Sequence, residues 1–164
     1  MNTFLVDANF FIQAHRAYYP LDVVPSFWRK VKELAHKSVI ISIDKVRNEI
    51  YSSEDDLKHW CKGNLPDDFF KGSHSIIGDY QTVISWAKTM DHHYQPRAIS
   101  EFFAADEADA WLVGYALAHN TPIVTYEISQ PNRKNKIKIP EACDAVGVPY
   151  LNTIEMLRQL NESI

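Results

Sequence analysis

The chain has 164 residues, of which 46% are hydrophobic and 12% aromatic, enough for the core of one ordinary domain and too many for a disordered or fibrous chain. Its formal net charge of −4 argues against holding nucleic acid by bulk positive charge. No apolar run approaches the roughly 20 residues that span a bilayer.

Asp7 breaks the first apolar stretch, which removes the pattern of a secretory leader and leads us to expect a soluble, cytoplasmic protein. Cys61 and Cys143 have no CxxC neighbour, so both are expected to be reduced thiols rather than a disulfide framework or a zinc site. The His92-His93 pair points in diverging directions on a helix and is expected to be solvated.

Along the chain, Thr3 to Val6 predicts a short buried strand. A helix from about Ala8 to Tyr18 follows, closed by Pro20. Pro25 at a first turn, with Phe27, Val31 and Leu34 at helical spacing, predicts a second helix reaching Ala35. Ser38 to Ser42 is a β-branched strand, and Ser42 or Asp44 is placed to cap a helix containing Val46, Glu49 and Ile50. The stretch from Ser52 to Ser100 carries helical signals at Leu57 to Cys61 and Ile76 to Met90, broken by Gly63, Pro66 and Gly72. An apolar helix containing Asp109 comes next, then a strand at Pro122 to Thr125 and a polar loop to Asn135. Lys136 to Ile139 is a short extended piece, Pro140 to Ala145 a short helix and Val148 to Leu151 a last strand. Thr153 to Leu160 closes as a helix with Ile154, Leu157 and Leu160 on one side. Strands alternating with helices predict one α/β domain over residues 1–164, with a parallel sheet covered on both faces.

Four acids stand at strand ends or on helix faces: Asp7, Glu49, Asp109 and Glu127. In an open parallel sheet ligands bind beyond the carboxyl ends of the strands, where Asp7 and Glu127 are expected. Asp106 is expected on the face of Asp109 at i, i+3 spacing, and Glu107 roughly opposite. Converging carboxylates raise one another's pKa unless a cation intervenes. An all-oxygen donor set without a Cys or His cluster suits Mg²⁺ or Mn²⁺ and phosphodiester hydrolysis better than zinc proteolysis. Each acid also has a bland reading. Asp7 alone would be a helix cap, Glu49 a solvated helix residue and Asp106 a helix-dipole charge.

Phe4-Leu-Val-Asp-Ala-Asn9, Arg47-Asn-Glu49, Ala108-Asp-Ala-Trp-Leu-Val-Gly-Tyr-Ala116 and Ile123-Val-Thr-Tyr-Glu127 resemble, in order, the four acidic motifs of PIN-domain nucleases. The resemblance is nearest to a bacterial and archaeal branch related to VapC-type toxins, and Lys136-Ile-Lys-Ile-Pro-Glu-Ala-Cys143 is also similar to that branch. It implies a three-layer α/β/α sandwich, a Mg²⁺ or Mn²⁺ site and endoribonuclease activity. By position Asp7, Glu49, Asp109 and Glu127 would hold metal, with Asn9 and Thr125 orienting acids and waters. Glu127 stands where most of the wider family has Asp or Asn, and its longer arm suits contact through a water. The toxin resemblance implies an antitoxin partner and self-association, with Tyr18, Tyr19, Phe27 and Trp28 as the expected contact surface. Lys134, Lys136 and Lys138, in the basic stretch after Glu127, are expected to touch RNA phosphates. Two other classes compete. One is a phosphoaspartate phosphatase or receiver, although Asn9 stands where a second Asp is usual. The other is a binding module that keeps the fold with little or no turnover.

Overall fold

A computed structural model describes residues 2–164. Its frame is a five-stranded, all-parallel sheet in the order β3-β2-β1-β4-β5, built from β1 (Phe4–Val6), β2 (Ile40–Ile43), β3 (Phe70–Lys71), β4 (Ile123–Val124) and β5 (Tyr150–Leu151). Leu5 pairs with Ile41 on one side and with Ile123 on the other, so β1 is central and its side chains are almost wholly buried. That explains its unbroken apolar run, since a strand covered on both faces has no polar side.

The helices are α1 (Ala8–Gln13), α2 (Pro25–His36), α3 (Asp44–Tyr51), α4 (Asp56–Asn64), α5 (Ile77–Thr89), α6 (Pro96–Phe102), α7 (Ala108–His119), α8 (Ile139–Val146) and α9 (Thr153–Leu160). They cover the sheet as a three-layer α/β/α sandwich. A π-helical turn, Ala14–Tyr18, continues α1. The chain steps outward from β1 through β2 to β3, then returns to the opposite side of β1 with β4 and β5. The topological switch point therefore lies between β1 and β4, where a crevice opens at the carboxyl edge. Residues 7 and 125 follow those two strands.

Local chemistry explains most boundaries. Asp7 is extended and caps α1, its carboxylate accepting from the Phe10 N–H at 2.7 Å. Asn152 and Glu155 form a reciprocal capping box on α9. Gly114 lies where α7 meets α5, and a Cβ there would stand 3.0 Å from the Tyr80 backbone.

Several expectations are corrected. Ser38 lies outside β2, in a left-handed conformation with φ 57°. Neither Ser42 nor Asp44 caps α3. The Ser42 hydroxyl donates to the Val6 carbonyl instead, and Ile43 takes the cap position without a side-chain bond. Residues 136–138 form no strand. In α9 the buried side chains are Thr153, Met156 and Leu157, while Ile154 faces outward. Strand β3 and helix α6 were not anticipated.

Candidate active site

Asp7 is the fixed point of the site. Its Oδ1 caps α1, and its Oδ2 accepts the Thr125 hydroxyl at 2.6 Å. The same hydroxyl oxygen accepts the Glu127 N–H at 3.0 Å, so one threonine ties the ends of β1 and β4 together. The Thr125 hydroxyl thus holds the Asp7 carboxylate. Asn9 is half-buried in the first turn of α1, and no hydrogen bond joins it to the acids among the described residues.

Burial pushes the Asp7 carboxyl up to about 7, opposed by its two hydrogen bonds and reinforced by the charges of Glu127 and Glu49. Asp109 occupies the first turn of α7. Its carboxyl is raised well above the ordinary range by burial, then by Glu107, Glu127 and Asp7, with Lys136 opposing. Glu49 on α3 keeps contact with solvent, yet partial desolvation and the charges of Glu107 and Glu127 raise it too, against Lys136. Glu127 is held by the Ile139 N–H on its Oε2 at 2.9 Å, and its Oε1 stands 3.8 Å from the Lys136 ammonium.

All four expected acids therefore share one electrostatic neighbourhood, joined by an acid the sequence reading had set aside. Helix α7 begins at Ala108, which makes Glu107 its N-cap, with its carboxylate 3.3 Å from the Asp109 N–H. Asp106 lies before the helix and is exposed, so the i, i+3 relation to Asp109 does not exist. The expected face requires a helix already running at Asp106, whereas α7 starts two residues later. The signal that could have found Glu107 was its place directly before the apolar run.

The three lysines separate. Lys138 is buried, and its ammonium donates to the Ile128 carbonyl at 3.0 Å and to Gln130 Oε1 at 3.2 Å. It fastens the loop after Glu127 and is not free for phosphate. Lys134 is exposed, and its backbone carbonyl accepts from the Gln95 N–H. Lys136 reaches a small cavity shared with Glu107 and Asp109, where it supplies the internal positive charge nearest the acids. The expected partner surface is also corrected: Phe27 and Trp28 are core residues, leaving Tyr18 exposed and Tyr19 half-buried.

Among the described residues no three His, Cys, Asp or Glu side chains converge as a preassembled metal cage. The donor chemistry nonetheless fits a hard divalent cation. Asp7, Asp109 and Glu49 offer only oxygen, and each carboxyl is raised first by desolvation and then by neighbouring carboxylates, a conflict that a bound cation would relieve.

Fold and site together define a three-layer α/β/α protein with a carboxylate cluster at the switch point of a parallel sheet. The chain belongs to the family described as a domain of unknown function, DUF4411, which matches residues 4–164 and so includes every acid named above. No curated protein and no solved structure matches it.

Proposed function

We propose that the chain is a metal-dependent endoribonuclease that hydrolyses RNA phosphodiester bonds, with Asp7, Asp109, Glu49 and Glu127 holding Mg²⁺ or Mn²⁺. The observation that carries this reading is the pair of carboxyls at the sheet's switch point, buried Asp7 and half-buried Asp109, each raised first by desolvation and then by neighbouring carboxylates. A structural protein gains nothing from such a pair, and perturbed acids in a crevice mark functional sites.

The bound ion would polarise the phosphoryl oxygen and lower the pKa of a water. The chain's own part is positioning. Thr125 and the Phe10 N–H fix both oxygens of Asp7, which stays ionised to hold the ion. As the water oxygen adds to phosphorus and the P–O ester bond breaks, the water proton passes to solvent. The departing oxygen takes up a proton from solvent.

Placement in the cytoplasm rests on the leader pattern that Asp7 interrupts, and a toxin–antitoxin role, an antitoxin partner and a homodimer rest on the sequence resemblance. No helix among the described residues is long and apolar enough to cross a membrane. A second reading has one observation in its favour. Acids that are not preassembled, with Lys136 among them, also suit a PIN-like RNA- or protein-binding module with weak turnover. Incubating purified protein with labelled single-stranded RNA separates the two. The nuclease reading expects internal cleavage with Mn²⁺ or Mg²⁺ that stops with EDTA; binding without cleavage under any divalent ion supports the module.

A further inference from the structure

A groove of about 710 Å³ adjoins the acidic site and shares Thr125 and Glu127 with it. We propose that this groove is a stacking subsite for an unpaired nucleobase flanking the cleaved bond, an inference that rests on the ribonuclease reading and narrows its substrate to single-stranded RNA.

The platform is Tyr18. Its ring is 57% exposed, and Tyr126 stacks against it with centroids 4.9 Å apart and planes at 25°. That support leaves the other ring face open to a second flat partner. The backbone beneath is also fixed. Tyr19 closes the π-helical turn through its N–H to Ala14, its carbonyl accepts the Trp28 indole N–H at 2.7 Å, and its ring stacks on Phe27 at 4.4 Å. A stacking surface held this firmly loses little entropy on binding.

Ile128 and Ile154 flank the groove as exposed apolar side chains. Thr153 is almost wholly buried in the groove wall, and a side-chain hydrogen bond between it and Tyr126 helps to fix the ring that supports Tyr18. Charge decides which part of a nucleotide enters. The lining contains Glu127 and Glu155 and no lysine or arginine, so phosphate is disfavoured and a neutral base is accepted. Aromatic platforms beside a backbone track are how unpaired strands are held with little sequence preference.

The test is equilibrium binding of a fluorescein-labelled single-stranded RNA decamer and of its duplex, with Ca²⁺ in place of Mn²⁺ at low salt, followed by cleavage kinetics with Mn²⁺. The wild-type chain should prefer the single strand. Tyr18→Ala should weaken that binding by roughly 5- to 100-fold, the range for loss of one base stack, whereas Tyr18→Trp should keep it. Thermal melts of both variants should match wild type, because Tyr18 is exposed. In cleavage, Tyr18→Ala should raise KM and leave kcat nearly unchanged. Equal binding by wild type and Tyr18→Ala, a loss shared by Tyr18→Trp, a preference for duplex or no RNA binding at all would each overturn the subsite. Cleavage with an unaltered KM in Tyr18→Ala removes the subsite and leaves the nuclease reading standing. Tyr18-dependent binding without cleavage by wild type has the reverse meaning.

Discussion

Asp7 caps a helix and anchors a loop, and its carboxyl is held near 7 from an ordinary 3.8. The consequence for stability has a definite sign. Between those two values the folded chain keeps the proton while the unfolded chain has released it, so stability falls as pH rises through the window and the loss is complete above about 7. The full effect is roughly 4 kcal/mol at most. In metal-free buffer, urea melts from pH 4 to pH 8 should show this decline, and Asp7→Asn should flatten it. A wild-type profile that rises with pH would contradict the assignment. Glu107 and Asp106 provide a matched pair of controls. Glu107→Gln removes both a charge facing Asp109 and part of the α7 cap, so Mn²⁺ affinity measured by calorimetry should drop several-fold. Asp106→Asn, at an exposed position, should leave that affinity unchanged.

At the scale of elements, the loop between β4 and α8 is held by buried chemistry rather than by regular structure. Lys138 bonds to Ile128 and Gln130, and Glu127 bonds to the N–H of Ile139. Replacing Lys138 with Met removes both of its bonds to the loop, at a cost of about 1–3 kcal/mol in denaturant melts, with greater protease sensitivity near residues 128–135. Lys134→Gln should do neither. Helix α7 packs closely on α5 at Gly114. Gly114→Ala should cost about 1–3 kcal/mol, read as a lowered melting temperature, because the obstructing atoms belong to the Tyr80 backbone and cannot turn aside. These elements also show what the sequence could disclose. Strand β1 and helix α2 were legible because an unbroken apolar run and a helical apolar spacing after Pro25 are local and strong, whereas α9 was legible in its bounds and not in its buried face. Strand β3 was not, since two residues, Phe70 and Lys71, carry no period and owe their strand geometry to pairing with Ser42 and Ile43. The burial of Phe27 and Trp28 and the inward turn of Lys138 are tertiary outcomes. Nothing in their neighbours announces them. Among the acids, the four at motif positions were legible from order alone, whereas Glu107 depended on the first residue of α7, where sequence signals are weakest.

At the scale of the whole molecule, topology does what composition does not. A chain with a net charge of −4 offers RNA little general attraction, and the acidic crevice repels phosphate until positive charge is added. The strand order places β1 beside β4, so acids separated by more than a hundred residues of sequence meet at one rim. The groove that holds Tyr18 opens from that same rim. Substrate binding should therefore depend on divalent cation as well as on salt, in contrast to a basic RNA-binding surface, which needs salt alone to describe it. The most direct measurement is the rate of internal cleavage of single-stranded RNA across a Mn²⁺ titration, for wild type, Asp7→Asn and Asp109→Asn, each first shown to be folded. The account predicts saturable, EDTA-sensitive cleavage by wild type and a loss of at least about 100-fold in both variants. Cleavage by the variants at the wild-type rate, or by wild type with EDTA present, would contradict it.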